Sequence, residues 1–179
     1  MNVERGAVIV ECVRGDIARQ RDMEAVVNAA NAQLRMGGGV AGAIHRAAGP
    51  GLEQECRPLA PIRPGQAVIT GGHNLPNRHV IHCLGPVYGM DEPADELLAS
   101  CYRNALRLAE SSGVKSIAFP AISTGVFGFP LEPAARIALK AVLAELPGLS
   151  SVKHVRFVLF DAHDLHVHSE IPEELAKGN

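Results

Sequence analysis

The residue types best able to do chemistry are concentrated in two runs. The first is Asn28-Ala29-Ala30-Asn31-Ala32-Gln33-Leu34-Arg35-Met36-Gly37-Gly38-Gly39-Val40-Ala41-Gly42-Ala43-Ile44-His45. Asn28 and Asn31 each carry donors and an acceptor on one side chain. Three consecutive glycines then let backbone N–H groups approach a ligand without interference from Cβ. A helix that starts after them adds unpaired N–H groups and a partial positive charge, an arrangement suited to a phosphate or diphosphate. The second run is Phe119-Pro120-Ala121-Ile122-Ser123-Thr124-Gly125-Val126-Phe127-Gly128-Phe129-Pro130. Ser123, Thr124 and the amides around Gly125 are donors of the same kind, and Phe127 and Phe129 can form apolar walls. Either run also admits a plainer reading, as a flexible glycine turn or a strand-to-helix turn with core aromatics.

Other chemistries fit these residues less well. Gly37 to Gly42 matches G-x-G-x-x-G, the dinucleotide fingerprint. That motif turns tightly from strand to helix, whereas here a long loop separates the strand from the glycines. The acidic ribose partner due about twenty residues on is replaced by Arg57. Ser123 has Ala121 where a hydrolase nucleophile elbow has glycine. His163, Asp164, His166 and His168 are metal-ligand types, but their spacing matches no closed zinc site, and no metal is expected. Cys12, Cys56, Cys83 and Cys101 form no Cys-x-x-Cys pair and read as reduced, buried thiols.

These runs need elements to hold them. Apolar and β-branched runs predict six strands, at residues 7–13, 25–28, 66–70, 78–84, 114–119 and 152–160. Helical periodicity predicts helices at 40–48, 52–59, 95–111 and 132–146, with a closing helix after Asp164. Leu97, Leu98, Cys101, Ala105 and Leu108 make one helical face, which stops at Ser112-Gly113. Strands alternating with helices imply an α/β fold with a largely parallel sheet covered on both faces. In such sheets ligands lie beyond the carboxyl ends of the strands, where both runs fall.

With 179 residues and no divider rich in Pro, Gly or Ser, the chain reads as one domain spanning 1–179. Seventeen Lys and Arg against 19 Asp and Glu leave a net charge of −2, and there are only two Tyr and no Trp. General nucleic-acid binding is therefore not expected, since it needs cationic excess and stacking rings. The arginine bias of the first third suits an anionic nucleotide or simple solvation. Glu170, Glu173 and Glu174 form an acidic tail. The charged start and the lack of an apolar run of about 18 residues predict a soluble, cytoplasmic protein with no membrane association.

In order along the chain, Gly15-Asp16-Ile17, Val26-Val27-Asn28-Ala29-Ala30-Asn31, Gly37-Gly38-Gly39-Val40, Gly42 to Pro50, Asn74-Leu75-Pro76, Val80-Ile81-His82, Gly85-Pro86, Cys101-Tyr102-Arg103-Asn104 and Phe119 to Gly128 resemble the macrodomain family, and within it the MacroD-type branch. The resemblance implies a three-layer α/β/α sandwich with a mixed, largely parallel central sheet and a pocket for ADP-ribose, free or attached to protein. No separate cofactor is implied. Asp16 would accept from the adenine amino group beside the Ile17 backbone, with Phe160 closing that side. Asn31 would hold the distal ribose, and Asn28 belongs to the same set. Gly38, Gly39 and Val40 would line ribose and diphosphate, and Ser123, Thr124, Gly125, Val126 and Phe127 would form the second phosphate loop.

The branch hydrolyses the ester between the terminal ribose and a carboxylate, as in O-acetyl-ADP-ribose or a modified acidic side chain. Its water-orienting Asp follows Gly-Gly-Gly-Val, a position held here by Ala41. His45, one helical turn on, is a candidate proton acceptor or a packed histidine. Hydrolysis weakened at Ala41 and recognition of ADP-ribose without turnover are thus the two readings.

Overall fold

The computed structural model describes residues 2–177. Seven strands form one sheet: β1 (Asn2–Arg5), β2 (Val8–Arg14), β3 (Ala25–Ala29), β4 (Ala67–Gly71), β5 (His79–Cys83), β6 (Ser116–Phe119) and β7 (His154–Leu159). Their order is β1-β2-β7-β6-β3-β5-β4, with the five central strands parallel and β1 and β4 antiparallel at the edges. The expected six strands are all present, and β1 is an addition. Four residues are too few for a periodic signal, and β1 exists because Gly6, at φ +65°, turns the chain back so that Arg5 faces Val8.

Five helices cover the sheet: α1 (Gly39–Ala48), α2 (Pro50–Cys56), α3 (Ala94–Ser111), α4 (Leu131–Glu145) and α5 (Ala162–Lys177). Side-chain alternation assigns the layers. Val10, Ala25, Val27, Ile81, Ile117 and Phe157 pack toward α3, α4 and α5, whereas Val26, Val80, Ala118 and Val158 pack toward α1 and α2. On α3, Leu98, Cys101, Tyr102, Ala105 and Ala109 are buried at three- and four-residue intervals. Beyond Ser112, Gly113 takes φ +69°, the left-handed conformation that ends a helix.

All four cysteines are buried free thiols. His163, Asp164, His166 and His168 lie on α5, whose first turn is capped by Asp161 Oδ1 accepting from Asp164 N at 2.8 Å. His168 turns inward against Phe157, and His166 pairs with Glu170 at 3.2 Å, so the helix disperses them. No described helix is long and apolar enough to cross a membrane.

The connections create the crevice. β3 and β6 are adjacent and parallel, but the chain leaves β3 for the α1/α2 layer and leaves β6 for α4 in the other layer. Loops departing to opposite faces leave a gap between them, the topological switch point of an open α/β sheet.

Candidate functional site

The first loop is held by its own side chains. Ala30 N donates to Cys83 O at 2.9 Å, the last sheet bond at this end of β3. Asn31 then closes a turn: its Oδ1 accepts from Arg35 N at 3.0 Å and its Nδ2 donates to Arg35 O at 2.8 Å. Leu34, at φ +55°, is fully buried and anchors the turn, and Ile62 N donates to Ala32 O. From there the chain rises through Gly37 to Gly39 into α1. A side chain at Gly42 would strike Gly37 O, so the start of α1 packs directly on the loop. A Cβ at Gly37 would stand 3.4 Å from Asn31 Nδ2 and 4.0 Å from Ala41 Cβ, which places Asn31, Gly37 and Ala41 at one corner. The amides of Gly38, Gly39, Val40 and Ala41 donate to no group among the described residues. They form a helix start with unspent donors.

The second loop is pinned at both ends and open in the middle. Ile122 N donates to the Tyr102 hydroxyl at 3.2 Å, which ties the loop to α3. Ser123 takes φ +66° and its Oγ donates to Pro86 O at 2.8 Å; a side chain at Gly85 would occupy the place of that hydroxyl. Phe129 N donates to Ser123 O, Gly128 N to Gly125 O, and Tyr88 N to Phe127 O. Phe129 is buried against Tyr88 with ring centroids 4.9 Å apart, and Phe127 is half-buried on the α1 side of the sheet. Between these anchors the N–H groups of Thr124, Gly125, Val126 and Phe127 have no partner among the described residues. The two loops thus present free amides across the same gap.

At the other end of the crevice, Gly15 N donates to Leu159 O, so β2 and β7 finish side by side. Asp16 follows one and Phe160 the other. Asp16 Oδ1 accepts from Ala18 N at 2.9 Å and its Oδ2 lies 3.6 Å from Arg19 Nε, yet the side chain remains 46% exposed. Phe160 is 82% exposed.

Beneath the first loop lies a polar layer between the sheet and α1 and α2. Asn28 Nδ2 donates to His82 Nδ1 at 3.1 Å, which leaves the proton of His82 on Nε2, directed at Thr70 Oγ1 at 3.0 Å and near Cys56 Sγ at 3.6 Å. Burial pushes His82 down to about 3, with His45 adding to the effect, and raises the Cys56 thiol to about 11. These groups are therefore neutral across the physiological range.

Three expected site residues are corrected by this geometry. His45 is turned toward the sheet, 6.5 Å from His82 between ring centroids and 2% exposed, because α1 buries that face; it is a packed histidine, lowered by burial, and not a proton acceptor facing the crevice. Asn28 is fully buried and holds the strand below the loop, with no surface for a ligand. The Ser123 hydroxyl is spent on Pro86, so only backbone is left to serve as donor there. Ile17 likewise contributes backbone alone, its side chain being core. Asn31, Gly38, Gly39, Val40, Thr124, Gly125, Val126 and Phe127 are brought to the gap, with Asp16 and Phe160 at its far end; the Ala41 side chain is buried at the start of α1, its backbone amide remaining among the free donors. Sequence reasoning assigned no role to Leu34, Gly85, Pro86, Tyr88 or Tyr102. Gly85, Pro86 and Tyr102 were signalled only by the Gly-Pro and Cys-Tyr pairs, which show nothing of the loop they brace until the chain is folded, and Leu34 and Tyr88 by no such pair.

Comparison with known proteins adds a family to this geometry. The model of the Macro domain matches residues 27–138. A Macro domain-containing protein of Caldanaerobacter subterraneus subsp. tengcongensis is 49% identical over 173 residues, covering 94% of this chain and 98% of its own. Another, from Streptomyces griseus, is 50% identical over 161 residues, with 87% and 89% covered. Among solved structures, the Oceanobacillus iheyensis macrodomain with ADP superposes with a TM-score of 0.95 at 39% identity, covering 100% of this chain and 97% of that one. The Trypanosoma brucei macrodomain in complex with ADP-ribose gives 0.84 at 38% identity, with 90% and 68% covered.

Proposed function

The chain belongs to the Macro domain family, and from that premise we propose that it binds ADP-ribose in the crevice between β3 and β6 and slowly hydrolyses ADP-ribosyl esters. One observation carries the binding. Gly38 and Gly125 lie on the two facing loops, neither has a positive φ, and a Cβ on either would meet nothing within 4 Å. Neither backbone geometry nor packing asks for glycine there. A ligand approaching the backbone does, and the free amides beside both glycines suit a diphosphate. Structures of relatives holding ADP and ADP-ribose support the same ligand.

In this reading the diphosphate takes the amides of Gly38 to Ala41 and of Thr124 to Phe127, Asp16 and Phe160 receive the adenine, and the terminal ribose reaches the corner of Asn31 and Ala41. Hydrolysis requires a water whose oxygen bonds to the ester carbonyl carbon while the bond from that carbon to the ribose oxygen breaks. The water's proton passes to the departing ribose oxygen. At the corner, Ala41 offers no carboxylate to take that proton, His45 is buried against the sheet and the Ser123 hydroxyl is engaged. Loss of a general base costs about 10²- to 10⁴-fold in rate, which leaves the contribution of positioning. The substrates are O-acetyl-ADP-ribose or a mono-ADP-ribosylated acidic side chain. Ala41 favours a second reading, a module that recognises ADP-ribose on protein without turnover.

Titration calorimetry with ADP-ribose tests the binding, and release of ADP-ribose from an ester tests the turnover. Ala41→Asp should raise ester hydrolysis by about 10-fold or more while affinity stays within a few-fold, because the carboxylate would join a helix start that favours its ionised form. An unchanged rate in a variant that still binds leaves the reader as the function.

A further inference from the structure

The sheet ends in two edge strands, and they differ. β1 carries Glu4 and Arg5, both exposed, and charges of this kind are how native sheets keep an edge from pairing with another chain. β4 reads Ala67-Val68-Ile69-Thr70-Gly71, with neither charge nor proline. Hydrogen bonds at its two ends fix which backbone groups it leaves unused. Leu84 N donates to Gln66 O at 3.2 Å and Gly72 N to Arg78 O at 3.0 Å, so in the antiparallel register Val68 and Thr70 bond to β5 while Ala67, Ile69 and Gly71 point away from it. Gly71 N accordingly donates to the Glu55 carboxylate, at 3.1 and 3.2 Å to its two oxygens, and beyond the other end Asn104 Nδ2 donates to Gly65 O at 2.9 Å. Between these ends, the N–H and C=O groups of Ala67 and Ile69 have no partner among the described residues.

This edge lies along a groove of about 660 Å³. One wall is Leu59, Pro61 and Ile62, and the other is Asn104, Arg107 and Leu108 of α3. Unused main-chain donors and acceptors in a row recognise another main chain, added as a further strand. Two copies of the same concave edge facing each other leave the groove between them unfilled, whereas a single extended segment enters it.

The walls select its side chains. Ala67 and Ile69 pack toward α3, and Val68 packs toward the layer of Ile62. Residues of an added strand share the face of the residues they oppose. A residue opposite Val68 therefore meets Leu59, Pro61 and Ile62, and Leu59 is 38% exposed there, a seat for an aliphatic side chain. Its two neighbours, opposite Ala67 and Ile69, turn toward α3. The free charge around the groove is positive. Arg57 and Arg63, both exposed, pair with no carboxylate among the described residues, and Arg107 directs only Nε and Nη2 to Glu145. Glu55 is spent on Gly71 N and on His73 Nε2 at 2.8 Å. We propose that the β4 edge is a docking site for an extended segment of another polypeptide, in which an aliphatic residue stands between two acidic ones, joined to the seven-stranded sheet as an added strand.

The probe is a fluorescein-labelled peptide, Gly-Ser-Glu-Leu-Glu-Ser-Gly, with one form N-methylated at both glutamates and another at the leucine. Fluorescence anisotropy should show the parent peptide binding the native chain. The N-methyl-glutamate form should bind at least about 10-fold more weakly, because those N–H groups face β4, and the N-methyl-leucine form within about three-fold, because its N–H faces away. Serine in place of the leucine should cost a similar factor, and Leu59→Ser should remove that difference. Ala67→Pro deletes one unused donor where an edge strand tolerates proline, and should weaken the parent peptide in a chain whose thermal unfolding stays cooperative. If that variant fails to fold, the N-methyl pair and Leu59→Ser still decide. Absence of binding by the parent peptide, or equal affinities of the two N-methyl forms, overturns the proposal. A native dimer by sedimentation that Ala67→Pro converts to monomer assigns the edge to a second copy of the chain and likewise overturns it.

Discussion

Gly38 has φ −84° and ψ −178°, extended backbone that any residue adopts, with open space where a side chain would stand. Gly38→Ala should therefore leave the fold as stable or raise its stability by about 0.4–1 kcal/mol, through a less flexible unfolded chain. The same methyl group would enter the space above the free amides and weaken ADP-ribose at least 10-fold. Denaturant unfolding and calorimetry on one sample check both halves, and a variant with undiminished affinity removes the glycine from the ligand's path. Asp16 behaves differently, because it also caps a 3-10 turn through Ala18. Asp16→Asn keeps an acceptor for that cap, so its effect should fall on ADP-ribose more than on ribose 5-phosphate, which has no adenine; equal losses in calorimetry contradict the adenine role. At this scale the sequence exposed the donor-rich positions but not their direction. Asn28 and Asn31 differ by three residues, yet one is fully buried beneath the loop and the other closes it.

The elements that present these residues are braced from outside the crevice. α3 carries Tyr102, whose hydroxyl receives Ile122 N, and the far end of α3 is tied to the segment leading into β7 by Glu110. The Glu110 carboxylate accepts from the amides of Ser150, Ser151 and Val152 and from the Ser150 hydroxyl, at 2.7 to 2.9 Å. Those hydrogen bonds favour the charged form and hold Glu110 at about 2. Because the folded value lies below the ordinary 4.5, the stabilisation is complete above pH 4.5 and fades as pH falls toward 2. Glu110→Ala should cost about 1 kcal/mol at pH 7, a modest figure because the group is partly solvated. The difference from the native chain should close as unfolding is followed downward through that window. Helix α3 was legible from its apolar spacing and its Ser112-Gly113 stop, whereas the reach of Glu110 across 40 residues to Ser150 leaves no local pattern.

For the molecule as a whole, ligand binding and protonation both act on the folded state. A ligand at about 100 times its dissociation constant adds roughly 2.7 kcal/mol, which in a domain of this size raises Tm by about 5–10 °C. Thermal scans with and without ADP-ribose should show that shift, and an unmoved midpoint at saturating ligand contradicts specific binding to the native fold. Acid should act through His82, which faces Asn28, Thr70, Cys56 and His45 and which burial lowers from 6.5 to about 3. The unfolded chain takes up a proton that the fold refuses between those values, so stability falls as pH drops from 6.5 toward 3. His82→Gln should flatten that slope by about one proton, read from unfolding free energies across the series; an unchanged slope assigns the acid sensitivity elsewhere.

Sequence alone determined what local interactions dictate. Periods of two and near four set six of the strands and the helices, the glycine runs set the flexible, donor-rich loops, and the ordered motifs implied the family and its ligand. β1 escaped because an edge hairpin of four residues is stabilised by its partner strand and not by its own composition. Tertiary structure decided everything that depends on which groups meet. It put the chain leaving β3 and the chain leaving β6 on opposite faces, and so opened the gap between them. It buried His45 against the sheet beside His82, and set Ala41, one turn earlier on the same buried face of α1, near Gly37 and Asn31. It also spent the Ser123 hydroxyl on Pro86. The physical reason is that helical and strand propensities act over a few residues, whereas burial and hydrogen-bond satisfaction are settled by neighbours from distant parts of the chain.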